Sequence, residues 1–390
     1  MNCKILWSAY FLIVLLSCML LTSRAVQDLG AVEWIVDDDG PADFCSIQEA
    51  INAASNGDII YVKMGTYNEN LVVNKTVSLV GENRKNTVIS AWLRHNRGPI
   101  CVKANNVSIK GFTVRLQSST YYTSCILVDH SKGNNISYNT LVSGDVGIHF
   151  LSSDNNILAN NEASGNHLIC ISLQNSSRNI VVNNSASDFP DAIGILVTED
   201  SNNNLVAGNN VSALNVGITL EDSNGNMISR NVASMNECGV SLIGNCSDNT
   251  IVENRVLMNE CGVEIDLDSA GLNLLYHNEF TENNVQARVL KGQVSMDSGY
   301  PTGGNYWSNH SDEDLYSGPL QDETGSDGIV DQAYVIDENN VDRYPIVPEL
   351  PTATSILLLL IVVAAVILER QRTVNNQTKD NVERSTSESC

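Results

Sequence analysis

Basic residues are scarce in this chain. It has 22 lysines and arginines against 45 aspartates and glutamates, which gives a net charge of −23 over 390 residues. A protein that binds nucleic acid through its phosphates needs the opposite balance. We therefore expect no nucleic-acid partner, whereas solubility, cation binding and a salty exterior all suit this acidity.

Helical spacing is absent between Asn134 and Gly292, and a repeat of about 22 to 25 residues takes its place. Each copy contains an asparagine that lies three residues after an aliphatic position and two residues before an apolar one. The repeated asparagines are Asn139, Asn161, Asn184, Asn209, Asn231, Asn254 and Asn278. The aliphatic positions before them are Ile136, Leu158, Val181, Val206, Ile228, Ile251 and Leu275. The repeat therefore predicts one structural column for each of these positions.

A repeat of this length predicts a solenoid. Apolar residues at i and i+2, between clusters of Asn, Ser, Asp and Gly, predict that its elements are short strands. A leucine-rich horseshoe also repeats, but it needs leucine at fixed positions and a helical return segment, and the chain has neither. Asparagine suits the bends of a parallel β-helix because it tolerates left-handed backbone angles and its amide can bond the amide one coil above. We therefore predict an all-β fold, a parallel β-helix of about ten coils.

Both ends of the chain carry apolar runs. Lys4, a run through Leu21 and a small-x-small site at Ser23 to Ala25 indicate a secretory signal peptide. A second run from Ala353 to Leu368, followed by Arg370, indicates a C-terminal membrane anchor. The run covers only ~24 Å of a ~30 Å hydrocarbon core, so flanking residues must supply the rest. A buried core helix is the other interpretation, but no folded segment follows it.

Several motifs resemble those of NosD-like right-handed β-helix proteins of prokaryotic, especially archaeal, cell surfaces. The family's repeat domain is named for carbohydrate binding and sugar hydrolysis. The resemblance covers roughly residues 33 to 346 and implies a right-handed coil, a helix that caps its N-terminal end and a block that covers its last coil. The motifs are Asp37 to Phe44, the short helical stretch Ser46 to Ala54, Gly57-Asp58, Gly65-Thr66-Tyr67, Gly304 to Ser308, Asp327 to Asp331 and Asp342 to Pro345.

These patterns divide the chain into six segments. We predict a signal peptide (1–25), an N-terminal cap (26–56), β-helix repeats (57–300), a C-terminal capping block (301–350), a transmembrane anchor or sorting signal (352–369) and a cytoplasmic tail (370–390). The protein should therefore be secreted and held at the cell surface with its ectodomain outside. The stretch Val347 to Pro351 resembles a Pro-Glu-Phe sorting signal, although Leu350 replaces the Phe.

One outward side chain per coil should form a polar strip that a glycan could lie along. The column contains His149, Ser172, Leu196, Thr219, Ser241, Glu264 and Arg288. It lacks the cluster of aspartates with an Arg or Lys base that a pectate-lyase-like site needs. The polygalacturonase-like motifs are absent too. The first expectation is therefore a non-enzymatic surface protein that binds glycans or builds the envelope.

Acidic residues at the turns after these strands keep an enzymatic alternative open. Glu199, Asp200, Glu221 and Asp222 lie on adjacent coils, and paired carboxylates can hydrolyse glycosides. They are the candidates for a polysaccharide lyase or hydrolase. The same residues also simply make turns.

Calcium and copper are the two metals that the sequence brings into question. Asp322, Asp327 and Asp331 offer oxygen ligands in a glycine-containing loop that could hold calcium, although a solvated acidic turn fits as well. NosD proteins proper are associated with copper-site maturation, and copper prefers clustered His, Cys or Met. The histidines are scattered, and the chain has no Cys-x-x-Cys and no methionine-rich run. A copper-binding role is therefore not expected.

Cysteines and glycosylation sequons suit a protein outside the cytosol. Cys238 and Cys261 recur in the same Glu-Cys-Gly-Val frame one coil apart, which fits either a disulfide or two buried free thiols. The ectodomain sequons predict a glycosylated exterior. They are Asn74, Asn106, Asn135, Asn175, Asn183, Asn210, Asn245 and Asn309.

Overall fold

A computed structural model describes residues 31–92, 98–117, 123–269 and 271–348. Apart from Val347 and Pro348, these residues belong to one structural unit, Met1–Ile346. The described chain winds into a parallel β-solenoid, which confirms the predicted fold class. The predicted signal peptide and C-terminal anchor lie outside the described residues. Within the described ranges, no helix is long and apolar enough to cross a membrane.

The first sheet contains eleven strands, one from each coil and all parallel. This number is close to the predicted ten coils. The aliphatic residues that precede the ladder asparagines pair in register here, for example Ile136 with Leu158 and Leu158 with Val181, and point into the core. The strands are Glu33–Val36, Ile59–Val62, Ser78–Gly81, Ser108–Lys110, Asn135–Ser137, Ile157–Ala159, Ile180–Val182, Leu205–Ala207, Met227–Ser229, Thr250–Val252 and Leu274–Tyr276.

The second sheet contains nineteen strands and forms the other two faces of the solenoid. In most coils a short strand is followed by a longer one, and the two merge in Ser185–Thr198 and Asn210–Glu221. The apolar positions after the asparagines, Leu141, Ala163, Ala186, Val211, Ala233, Val256 and Phe280, are buried in this sheet. The remaining strands are Gly65–Tyr67, Leu71–Val73, Thr87–Ala91, Ile100–Val102, Thr113–Leu116, Ser124–Asp129, Thr140–Val142, Val146–Leu151, Glu162–Ser164, Ile169–Gln174, Val232–Ser234, Cys238–Gly244, Arg255–Leu257, Cys261–Leu267, Glu279–Thr281, Val285–Lys291 and Tyr306–Trp307.

The predicted asparagine ladder is present at the bend between the two sheets. From Asn139 onward, Nδ2 of each asparagine donates to Oδ1 of the next at 2.9–3.2 Å. The same Oδ1 also accepts the backbone N–H of the preceding ladder residue. The ladder continues past Asn278 to Asn305, inside the segment that the sequence assigned to the C-terminal block.

The ladder differs from the prediction in its backbone. The left-handed residue at each bend is the one before the asparagine: Tyr138, Asn160, Asn183, Gly208, Arg230, Glu253 and His277. The prediction that the asparagines themselves adopt left-handed angles is therefore wrong. Their amides, which satisfy buried backbone groups at the bend, explain why the position requires asparagine.

A short helix, Ile47–Ala53, begins where the sequence predicted one. Glu69 accepts hydrogen bonds from the Ser46 hydroxyl and from the backbone N–H groups of Ile47 and Gln48, at 2.7–2.9 Å. A carboxylate on the free N–H groups of a first turn stabilises a helix. The helix buries Ile47 and Ile51 in the same core that the strands fill.

After the last coil the chain forms two small antiparallel hairpins, Tyr316–Ser317 with Glu323–Thr324 and Tyr334–Val335 with Val341–Asp342. Trp307 lies between the second hairpin and the solenoid. Its ring stacks on Phe280 at 4.5 Å and on Tyr334 at 4.4 Å between centroids. The apolar core therefore ends in a stack of three aromatic rings.

Candidate functional site

The structure brings the seven residues of the predicted polar strip into one straight column, which we call the axial strip. Strand register pairs His149 with Ser172, Ser172 with Leu196 and Leu196 with Thr219. The column then runs through Ser241, Glu264 and Arg288. Since stacked strands lie about 4.8 Å apart, the axial strip is about 29 Å long.

The axial strip is less exposed than the sequence suggested. Ser172, Thr219 and Ser241 are only 4%, 3% and 2% exposed, although they point away from the core. Longer side chains on both sides surround these small ones. One flanking column contains Ile169, Ile193, Val216 and Cys238, and the other contains Gln174, Thr198, Glu221 and Ile243. The middle of the axial strip is therefore the floor of a shallow groove with an apolar and a mainly polar wall.

Thr219, at the centre of this floor, has an unsatisfied hydroxyl. Its Oγ1 is buried and has no hydrogen-bond partner within the described residues. A buried polar atom without a hydrogen-bond partner lowers the free energy of unfolding by about 1–3 kcal/mol. A ligand hydroxyl that reached this atom would remove the cost.

His149 begins a hydrogen-bonded chain at one end of the axial strip. Its Nε2 lies 2.9 Å from Oε1 of Gln174, and Nε2 of Gln174 donates to Glu199 at 2.8 Å. Because Glu199 fixes the orientation of the Gln174 amide, Nε2 of His149 is the donor. Burial lowers the pKa of His149 despite its bond to Gln174. The imidazole is therefore neutral at neutral pH and cannot supply a positive charge to a ligand.

The other end of the axial strip carries an ion pair. Nε of Arg288 lies 2.8 Å from Oε2 of Glu264, and both side chains are partly exposed. This end therefore offers a guanidinium and a carboxylate side by side, both of which can bond sugar hydroxyls or carboxylates.

The four acidic turn residues lie along the edge of the polar wall: Glu221 belongs to it, and Glu199, Asp200 and Asp222 occupy the turns that follow it. Glu199, Asp200 and Asp222 have left-handed backbones, which fits their role in the turns. Glu221 accepts a hydrogen bond from Thr198 at 3.0 Å, and Asp222 accepts one from the backbone of Asn245 at 2.8 Å. Both donors, the Thr198 hydroxyl and the Asn245 backbone N–H, are uncharged.

The structure does not bring Asp322, Asp327 and Asp331 together as a set of ligands. Asp331 accepts from the backbone of Leu315 and Tyr316, and Asp327 accepts from Gly318. Within the described ranges, the one group of three carboxylates, histidines or cysteines whose ligand atoms lie within 4.8 Å of one another is Asp37, Asp38 and Asp39. Sequence reasoning quoted these three only as part of a family motif.

Seven of the eight predicted glycosylation sites are exposed: Asn74, Asn106, Asn175, Asn183, Asn210, Asn245 and Asn309. Asn135 is half-buried, and its Oδ1 is buried. A glycan requires exposure, so glycosylation at the seven exposed sites stays a prediction.

A family model described as "Periplasmic copper-binding protein (NosD)" matches residues 48–312. The chain belongs to the NosD family. This confirms the resemblance that the sequence motifs carried. Within the described residues of this NosD-family chain, the one converging group of histidines, cysteines and carboxylates consists of three aspartates, whereas copper prefers histidine or sulfur ligands.

Two relatives match parts of this NosD-family chain. A cell surface glycoprotein of Methanothermus fervidus is 36% identical over 107 residues, which is 26% of this chain and 17% of the relative. Pectinesterase 2 of Citrus sinensis is 35% identical over 93 residues, 23% of this chain and 18% of the relative. The chain thus spans less than a fifth of the length of these relatives. The family and the glycoprotein relative indicate a periplasmic or surface location.

Solved β-helix structures resemble the chain at low identity. The A-module of the Azotobacter vinelandii mannuronan C-5 epimerase AlgE6 has a TM-score of 0.46 and 14% identity, covering 64% of this chain and 92% of its own. The catalytic domain of a GH87 alpha-1,3-glucanase has a TM-score of 0.44 and 11% identity, covering 73% of this chain and 70% of its own.

Proposed function

We propose that this chain is a membrane-anchored, glycosylated surface protein whose axial strip binds a glycan without cleaving it. The observation that carries the proposal is the axial strip, a continuous column of outward side chains whose central members are buried between two flanking columns. An extended polymer can follow such a groove because each coil adds a similar contact at a constant spacing. The cell surface glycoprotein relative supports the location.

The chemistry of the groove suits a carbohydrate. Its floor offers the hydroxyls of Ser172, Thr219 and Ser241, and the apolar wall offers Ile193 and Val216 to the carbon-bearing faces of sugar rings. Sites that bind small or extended ligands combine apolar walls with a few well-placed polar groups in this way. Arg288 would favour an acidic glycan at the C-terminal end.

A glycan array probed with the full-length chain in detergent, with calcium and with chelator, tests the proposal. Thr219→Trp should fill the groove and weaken binding at least about tenfold, which corresponds to 1.4 kcal/mol. Thr250→Trp is the matched control, because Thr250 lies on the outer face of the first sheet and its variant should bind normally. Equal binding by the two variants would place the site elsewhere. Loss of binding with chelator would show that binding requires a divalent cation.

A polysaccharide lyase or hydrolase is the second candidate, because Glu199 and Glu221 lie along the edge of the polar wall, hydrogen bonded to Gln174 and Thr198. Each glycan that binds should therefore be checked for product release. Release that disappears in the Glu199→Gln, Glu221→Gln double variant, while binding persists, would make the chain an enzyme. Binding without release supports the first proposal.

A further inference from the structure

Cys238 and Cys261 occupy the apolar wall of the groove on successive coils. The two residues pair directly in strand register, and both belong to the column that begins the longer strands of the second sheet. Stacked residues lie about 4.8 Å apart, inside the range of about 4.4–6.8 Å between the Cα atoms of a disulfide. The structure holds both as free thiols.

The local backbone orients both sulfurs in the same way. Sγ of Cys238 lies 3.2 Å from the carbonyl oxygen of Val240, and Sγ of Cys261 lies 3.4 Å from that of Val263. Because the two side chains have the same orientation on neighbouring coils, one sulfur lies above the other. The pair is therefore preorganised, and bond formation does not require the chain to bring distant segments together.

A cation adjoins the pair on the next coil. The Arg288 guanidinium lies on the coil after Cys261, and Glu264 holds it at 2.8 Å. The bond from Cys238 lowers the pKa of Cys261, and the charge of Arg288 lowers it further, while the same thiol–thiol bond and burial raise the pKa of Cys238. The neighbouring thiol and the positive charge thus favour the thiolate of Cys261, and thiolates carry thiol–disulfide exchange.

Three other buried cysteines lack this environment. Burial raises the pKa of Cys125 and of Cys170 to about 12, and it also raises the pKa of Cys246. These three thiols lie in the hydrophobic core, where a thiol is inert. The chemistry therefore distinguishes the groove pair from the core cysteines.

We propose that Cys238 and Cys261 form a redox-active dithiol that small disulfide molecules oxidise to a disulfide joining two successive coils. Cys238 is 5% exposed and Cys261 is 0% exposed, so the reagent meets Cys238 first. Cys238 Sγ passes its proton to the neighbouring Cys261 thiolate and attacks one sulfur of the small disulfide; the other sulfur leaves as a thiolate and takes up a proton from solvent. Cys261 Sγ then attacks Cys238 Sγ and expels the second small thiolate, which takes up the second proton. Two protein thiols and one small disulfide thus become one protein disulfide and two small thiols.

Native oxidation with glutathione disulfide, followed by alkylation in denaturant and tryptic digestion without reductant, tests the proposal on the full-length chain. Trypsin cleaves after Arg230, Arg255 and Arg288, so the two cysteines fall in separate peptides. We expect the peptide 231–255 joined to the peptide 256–288, two hydrogens lighter than their sum. Glutathione on the exposed Cys45 shows that the reagent was active.

Variants assign the bond, because the peptide 231–255 also contains Cys246. Cys246→Ser should keep the cross-link and Cys238→Ser should abolish it. A cross-link that survives Cys238→Ser, or full alkylation of both groove cysteines once Cys45 has reacted, would overturn the proposal. Arg288→Gln should slow cross-linking up to about tenfold and move its pH–rate profile upward, as a rise of one pKa unit in a thiol requires. An unchanged profile would contradict the part assigned to Arg288.

Discussion

Asp342 is the buried titratable residue with most effect on the end of the solenoid. Its carboxylate accepts hydrogen bonds from the backbone of Asn305 at 2.7 Å, the indole of Trp307 at 2.9 Å and the backbone of Tyr344 at 3.2 Å. Burial nevertheless raises its pKa to about 7. A carboxyl group with a raised pKa stabilises the fold below its ordinary value of 3.8, and this stability is lost as the pH rises through about 7.

We predict that Asp342→Asn removes this pH dependence. In the unchanged protein the free energy of unfolding should fall by up to about 4 kcal/mol between pH 4 and pH 8 on account of this residue. Urea unfolding at several pH values, followed by tryptophan fluorescence, measures the slope. Asp297→Asn is the control with opposite sign: burial alone would raise the pKa of Asp297, but its bonds to Arg343 lower it overall. Its contribution is therefore lost as the pH falls. An Asp342→Asn slope equal to that of the unchanged protein would contradict the assignment.

At the scale of the coil, the ladder asparagines contribute more to stability than their solvent-exposed neighbours do. Asn209 accepts from the backbone N–H of Asn184 at 2.9 Å and donates to the carbonyl of Val181 at 2.9 Å. Asn209→Ala leaves both backbone groups buried without a partner and breaks the ladder.

We therefore predict that Asn209→Ala lowers the free energy of unfolding by roughly 2–4 kcal/mol. Asn210→Ala is the matched control, because Asn210 follows directly in the chain and is exposed. Its effect should stay within about 0.5 kcal/mol. Chemical denaturation of the two variants compares them, and equal losses would show that the ladder adds no stability.

The structure contains three asparagine ladders, and the sequence analysis predicted only one of them. A second runs through Asn134, Asn156, Asn179, Asn204, Asn226, Asn249 and Asn273, and a short third joins Asn236, Asn259 and Asn283. The second recurs with the same period and was visible in the sequence, but it lies in turns that are rich in Asn and Ser, which hides it. The register of the axial strip was predictable because side chains alternate along a strand. The burial of Thr219 was not, because it depends on side-chain lengths in two neighbouring columns.

At the scale of the whole molecule, Trp307 controls the C-terminal end. Its side chain is 1% exposed and stacked between Phe280 and Tyr334. Trp307→Ala should therefore lower the free energy of unfolding by about 3–5 kcal/mol. It should also loosen the hairpins that cover the last coil. An uncovered coil presents unpaired strand edges and apolar surface, which promote association.

We predict that Trp307→Ala produces end-to-end oligomers, detected by sedimentation velocity. Trp92→Ala is the control, because Trp92 is 61% exposed and its removal should leave both stability and mass unchanged. A destabilised but strictly monomeric Trp307→Ala protein would show that the hairpins do not protect the last coil from association.

The long ladder also has an electrical direction. In every coil the amide oxygen faces the preceding coil and the amide hydrogens face the following one, so the side-chain dipoles add along the axis with their positive end at Asn305. The group that meets this end is the carboxylate of Asp342, which lies 3.5 Å from Nδ2 of Asn305 and 2.7 Å from its backbone nitrogen. An anion at the positive end of a row of aligned dipoles is electrostatically favoured. The ladder therefore has a fixed polarity, and the ionised form of Asp342, which prevails above about pH 7, lies at its positive end.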